Sequence, residues 1–171
     1  MYLCAGLVTI NGVEQMKEHK IEIVVQTCKM AELNEADREL VEAAKRSTKG
    51  SYAPYSGFKV GAAVRLRNGL IVIGSNQENA AYPSGLCAER TALFAAGAQF
   101  PSEPVVALAI AAKKGRIFTK QATPPCGACR QVIAGVEDRF GKAIRILLYG
   151  SDGVVVVNGI DALLPLRFST F

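Results

Sequence analysis

Apolar side chains along this chain recur with two different periods, and the switches between them mark out the elements. Ile21, Ile23 and Val25 alternate with Glu22, Val24 and Gln26 and predict a short strand. Asn34 is placed to cap a helix over about 35–49, with Leu40, Val41, Ala43 and Ala44 toward the core. Period two returns at Phe58, Val60, Ala62, Val64 and Leu66, and Asn68-Gly69 gives a tight turn before Leu70, Ile71, Val72 and Ile73. That segment predicts a β-hairpin.

A helical pattern follows over about 87–99, then a continuous apolar strand over 105–112, a second helix over about 127–140 and a strand over 144–149. Ser151-Asp152-Gly153 turns the chain into a strand over 154–157, and Pro165 stops a short last helix near 161–164. Strand, crossover helix and strand in succession place strands in parallel, with helices on the sheet faces. The expected architecture is a single three-layer α/β domain, without repeats, low-complexity tracts or a clear linker.

Composition narrows the setting. Half the residues are hydrophobic by a count that omits the 16 glycines, whereas globular chains reach about 45–50% with Gly included; the surplus predicts burial between subunits. The longest clear apolar run, over 105–112, has eight residues, against the roughly 18 of a membrane helix. Met1 to Val13 carries no basic residue before its apolar stretch and no small-residue cleavage site, so no secretory signal is expected. Five cysteines without a disulfide framework predict a reducing, cytoplasmic setting. The net charge of +5 invites a nucleic-acid reading, but basic residues never exceed two in succession (Lys45-Arg46, Lys113-Lys114). Neither nucleic acid nor membrane is expected as a partner.

The cysteines carry the chemistry. Cys126-Gly-Ala-Cys129 opens a helix, so one turn brings both sulfurs to its positive end, where thiolates are favoured. Alone, such a pair suits metal binding, redox exchange or chance. Cys87 also begins a helix, so two helix N-termini could aim three thiolates at one cation and leave a fourth tetrahedral position open. His19 and the upstream Cys4 and Cys28 lie far from this set, so no fourth protein ligand is expected. Three thiolates around zinc leave net negative charge, which Arg90 and Arg130 could offset; Gln131 could donate to sulfur. Glu89, two residues past Cys87, can stand beside a metal without ligating it and move protons.

Cys87-Ala88-Glu89-Arg90-Thr91-Ala92 with Pro125-Cys126-Gly127-Ala128-Cys129-Arg130-Gln131 closely resembles the small, homotetrameric zinc-dependent cytidine deaminases of pyrimidine salvage. Tyr52-Ala53-Pro54-Tyr55-Ser56 with Phe58, Asn76-Gln77-Glu78-Asn79-Ala80-Ala81-Tyr82, and Leu163-Leu164-Pro165 with Phe168 extend the resemblance over about 35–171. Residues 1–34 fall outside it as an extension without an assigned role, in which Met16-Lys17 could be an internal start. The resemblance implies a three-layer α/β/α fold, a mixed five-stranded sheet, and one Zn2+ per subunit held by Cys87, Cys126 and Cys129 between two helix N-termini. It implies that Asn76 and Glu78 hold the ribose hydroxyls and that Phe58 packs beside the pyrimidine. Tyr55, Ala80, Tyr82 and Phe168 would border active sites, some across a subunit boundary. Backbone groups near Ala88 and Pro125 would read the exocyclic amine. Two departures stand out: Pro124 replaces the usual serine before Pro-Cys, and the chain ends three residues beyond Phe168.

The implied reaction is hydrolysis of cytidine or deoxycytidine to the uridine form plus ammonia, with Glu89 moving the protons. A deaminase of another small base, analogue or nucleic acid, a thiol–disulfide protein and a zinc-stabilised interaction module are the competing readings.

Overall fold

The computed structural model describes residues 16–169 and the backbone of 9–10 and 13–14. Strands β1 (Thr9–Ile10) and β2 (Val13–Glu14) pair as a two-residue antiparallel ribbon. β3 (Gln26–Cys28) precedes α1 (Glu35–Ser47), whose N-terminus is capped as expected: Asn34 Oδ1 accepts from the Asp37 N–H at 2.7 Å. Then follow β4 (Phe58–Leu66), β5 (Ile71–Ser75), α2 (Ala88–Gln99), β6 (Val105–Lys114), β7 (Ile117–Phe118), α3 (Gly127–Phe140), β8 (Arg145–Gly150) and β9 (Gly153–Asn158).

The main sheet has the order β3-β9-β8-β6-β4-β5, with β7 hanging on β6. β6 and β8 run parallel, and the other neighbours are antiparallel. β6 is buried on both faces, as a continuous apolar run requires. Its Leu108 and Ile110 pack with Ala92 and Leu93 of α2 and Ile133 of α3, whereas Ala107, Ala109 and Ala111 pack under Leu40, Val41 and Ala44 of α1. Small residues let α1 approach closely. A Cβ on Gly61 of β4 would collide with the Ala44 carbonyl and the Ser47 hydroxyl.

The three layers are therefore as expected, and three details differ. The sheet has seven strands rather than five, because β3 and the short β7 join it. The strand expected over 21–26 overlaps the observed one, Gln26–Cys28, only at Gln26, and Ile21, Ile23 and Val25 are more than half exposed. Pairing begins with Gln26 opposite Val156, two residues short of the end of β9 at Asn158, so the ladder stops before the edge does. The last expected helix is a single 3-10 turn over Ile160–Ala162.

Glu137 of α3 locks two crossings. Its Oε1 accepts from the backbone N–H of Ile144 at 2.8 Å and of Ile160 at 3.0 Å, tying α3 to the start of β8 and the turn after β9. Burial raises its carboxyl above the usual carboxylate range against those two hydrogen bonds. Glu137→Ala orphans two backbone donors, each worth about 1–3 kcal/mol when buried, and chemical denaturation is expected to show a loss of that order. Glu137→Gln keeps the acceptor and should retain most stability. Because the folded-state value is raised, the wild type should lose stability relative to Glu137→Gln as pH climbs from the ordinary carboxylate value through the raised one. Equal pH profiles for the two proteins would contradict this account.

Candidate metal centre and active-site groove

Connectivity puts two helix N-termini at one end of the sheet. β5 and β6 both run antiparallel to β4, so α2, which follows β5, and α3, which follows β6 and β7, start at the same edge. Residues between parallel-running strands and their helices are the usual place for a site in such sheets. Cys87 is the N-cap of α2 and Cys126 the N-cap of α3, both with extended backbone and without a side-chain capping bond. Their sulfurs stay available for each other.

The Cys87 and Cys126 Sγ atoms are 3.8 Å apart, Cys126 and Cys129 Sγ 3.5 Å, and all three lie within 4.8 Å of one another. Sulfurs on a tetrahedral zinc with bonds of about 2.3 Å would sit roughly 3.8 Å apart, so this donor set fits such an ion. Among the described residues no His, Asp or Glu joins the group. His19 and Cys28 are elsewhere, and Cys4 lies outside the described residues. A three-sulfur set leaves one tetrahedral position for something other than protein.

The charge balance is visible around Cys87. Its thiol is pushed down to about 5, chiefly by a hydrogen bond from Cys129 and also by Arg90, against the opposing effect of burial. The Cys129 thiol moves up for the complementary reason, since it gives its proton to the Cys87 sulfur. Arg90 Nη2 lies 3.6 Å from Cys87 Sγ. Arg130 turns the other way, its Nε donating to the Pro125 carbonyl at 2.9 Å and its Nη1 to the Leu163 carbonyl at 2.7 Å. It braces the segment entering α3. The Gln131 Nε2 donates to the Phe168 carbonyl at 2.8 Å.

Glu89 is 4% exposed in the first turn of α2. Burial raises its carboxyl, and the nearby Cys87 adds to the rise, while its own backbone N–H, Cys129 and Arg90 oppose it. Ala88 and Pro125 are buried on either side of the two N-caps.

A groove of about 540 Å³ leads to this centre, walled by Tyr55, Asn76, Glu78, Tyr82, Cys87 and Arg90 among others. Asn76 closes the end of the β4–β5 pair: its Oδ1 accepts from Val60 N–H at 2.8 Å and its Nδ2 donates to the Phe58 carbonyl at 3.0 Å. Glu78 Oε2 accepts from the Tyr55 N–H at 2.9 Å and the Ser56 N–H at 3.2 Å, and Oε1 accepts from the Ser56 hydroxyl. The Ser56 hydroxyl holds the Glu78 carboxyl below the usual range, helped by those two amides. The rings of Tyr55 and Tyr82 meet edge to face at 5.9 Å. Phe58 starts β4 behind Asn76, Ala80 lies exposed in the loop before Tyr82, and Phe168 is 71% exposed on the C-terminal segment. Sequence reasoning assigned no role to Ser56; its position two residues before Phe58, whose N–H it accepts at 2.9 Å, was the available signal.

Zinc deaminases of nucleobases hold their metal with a cysteine-rich set and keep beside it a glutamate that does not ligate, and that is the class this fold and donor set define. Residues 34–140 match the family described as the cytidine and deoxycytidylate deaminase zinc-binding region, to which this chain belongs, and it is an enzyme of this kind. A cytidine deaminase of Halalkalibacterium halodurans is 48% identical over 99 residues, 57% of this chain and 70% of that one. One from Sporosarcina psychrophila is 37% identical over 131 residues, 77% of this chain and 90% of its own. The crystal structure of cytidine deaminase from Burkholderia pseudomallei superimposes with a TM-score of 0.65 at 39% identity, covering 76% of this chain and 97% of that one.

Gly74 of β5 sets where α2 begins, because a Cβ there would collide with the Ala88 carbonyl and the backbone of Ala92. Gly74→Ala should displace Cys87 from the other sulfurs. Overpacking of this kind costs about 1–3 kcal/mol, and metal titration should show weaker zinc binding alongside a lower denaturation midpoint. Unaltered zinc affinity would mean that α2 is not held by this contact.

Proposed function

We propose that this chain deaminates free cytidine and deoxycytidine by hydrolysis, releasing ammonia and the uridine forms, as a pyrimidine-salvage enzyme with one Zn2+ per subunit. The observation that carries this reading is continuity: Cys87 and Arg90 wall the same groove as Asn76 and Glu78. The relatives named cytidine deaminase support the substrate. The deaminase unit is residues 35–171, residues 1–34 being an extension, and the reduced cysteine cluster suits the cytoplasm.

Cys87, Cys126 and Cys129 hold the zinc, which supplies Lewis-acid chemistry that activates water. Arg90 and the two helix N-termini offset the charge of the thiolates. Glu89 takes one proton from the attacking water as the C4–O bond forms and passes it to N3 of the ring. It then carries the remaining proton of the new C4 hydroxyl to the C4 amine, so that C4=O forms as the C–N bond breaks and ammonia leaves. Its buried setting suits a carboxyl that must both accept and return protons.

Asn76 and Glu78 bind the ribose hydroxyls, Glu78 as an ionised acceptor. Both side chains are already held by the backbone around Phe58, so little order is lost on binding. Phe58 packs beside the pyrimidine, and backbone groups at Ala88 and Pro125 read the amine. Tyr55, Ala80, Tyr82 and Phe168 border the sites of a homotetramer, some from a neighbouring subunit. Gln131 serves this arrangement through Phe168 rather than through sulfur. Ribose ligands at one end of the groove disfavour bases embedded in a polymer.

Glu89→Gln is expected to keep stoichiometric zinc and lose turnover of cytidine by about 10²–10⁴-fold, the usual weight of proton transfer. Wild-type turnover in that variant would remove Glu89 from the mechanism. Light scattering should give the mass of four subunits, and a fully active monomer would overturn the shared sites.

A further inference from the structure

Three carboxylates converge on one guanidinium near the C-terminal end of the chain. Arg167 Nη2 lies 3.0 Å from Asp138 Oδ1, Nε 3.4 Å from Asp161 Oδ1 and Nη1 3.8 Å from Glu137 Oε2. The Arg167 side chain is 24% exposed and that of Glu137 9%, so part of this network is shielded from water. Two partners sit on the far half of α3 and the third in the turn after β9. One side chain thus ties the last described residues to both elements.

The next residue is fastened at the other end of the same helix. The Phe168 carbonyl accepts from Gln131, which lies two residues past Cys129, and Arg130 holds the Leu163 carbonyl. The guanidinium meets the later turns of α3 at Glu137 and Asp138, while the Phe168 carbonyl is held by Gln131, in the half of the helix that bears Cys126 and Cys129. Glu137 already satisfies two backbone N–H groups through Oε1, so its Oε2 is left to meet Arg167. A salt-bridged network spanning two elements restrains a segment better than an isolated surface pair.

We propose that Arg167 is a positioning residue for substrate binding: its ion pairs hold Phe168 at the metal-bearing end of α3, where the ring walls a cytosine-nucleoside site. The inference rests on the proposed function, and it assigns to the residue before Phe168 a task outside the motifs that carry the family resemblance.

The test compares wild type, Arg167→Gln, Arg167→Lys, Phe168→Ala and the double variant Arg167→Gln/Phe168→Ala as full-length, zinc-loaded proteins. Arg167→Gln should raise KM for cytidine about tenfold, the equivalent of one lost anchoring interaction, with kcat and zinc content little changed. Arg167→Lys should recover most of that loss. The double variant should be no worse than Phe168→Ala, since two residues acting through one contact are not additive. Amide exchange over 163–169 should accelerate in Arg167→Gln. A KM that stays at the wild-type value, additive effects, or unchanged exchange would each overturn the proposal. If Arg167→Gln fails to fold, Asp138→Asn/Asp161→Asn loosens the same guanidinium without removing it, and should raise KM in the same direction; an unchanged KM there also counts against it. A wild-type chain that leaves cytidine untouched removes the function reading and this role in binding together, whereas exchange still decides whether Arg167 anchors the segment.

Discussion

Bringing three ionisable sulfurs within 4.8 Å of one another is the constraint on which the rest of this structure depends. Thiolates that close repel, and partial burial makes their charge costlier still. The fold answers with fixed positive charge: two helix N-termini aimed at the same place and the Arg90 guanidinium beside Cys87. Those helix ends coincide only because β5 and β6 share a direction, one strand apart, and each is followed by its helix. Small residues then set the depth. Gly74 admits the start of α2, and Gly150 of β8 admits the backbone of Lys120 to Ala122 on the way to Cys126, since a Cβ at either would collide.

Much of this was legible in the sequence because it is local. The alternation over Phe58–Leu66 and the Asn34 cap emerge at their expected positions, and both cysteines read as helix-opening are N-caps. What escaped depends on partners distant in sequence. β3 has three residues and exists because β9, from the far end of the chain, pairs with it over Val154 to Val156, which the apolar alternation just upstream does not announce. In the sequence Gln131 is a candidate donor to sulfur; the carbonyl it donates to in the fold is set by where the C-terminal segment crosses α3, which no local pattern encodes. Ser56 escaped for the same reason, since its importance lies in Glu78, 22 residues away.

The groove shows how the same backbone serves packing and recognition. Asn76 spends one donor and one acceptor closing the β4–β5 end, and Glu78 spends both oxygens on the Tyr55–Ser56 turn. An amide keeps one further donor and lone pair, and a carboxylate keeps further acceptor sites. Ligand hydroxyls would therefore meet groups already aimed and partly desolvated, which costs less than ordering free side chains. Removing either residue would consequently disturb the loop as well as any ligand, so a loss of activity there would not separate the two roles, whereas the Glu89 carboxyl, acted on by its own backbone N–H and by Cys87, Cys129 and Arg90 at the site itself, separates chemistry from scaffolding.

Deamination by water demands that bulk solvent be kept from the reacting atoms while one water is admitted. A groove of about 540 Å³ walled by a single chain is roomy for that purpose, and the Tyr55–Tyr82 pair covers part of its rim. Tyr82 and Phe168 are both more than two-thirds exposed, and Phe94 is half exposed. In a chain with half its residues hydrophobic, such surface is suited to cover by another subunit. Phe168 is the part of it that the fold has taken most trouble to fix, with its carbonyl on Gln131 and its neighbour Arg167 held by three carboxylates. Such restraint fixes the backbone of an aromatic that is 71% exposed. It makes sense once the ring has to arrive at a defined place against a ligand or a second copy.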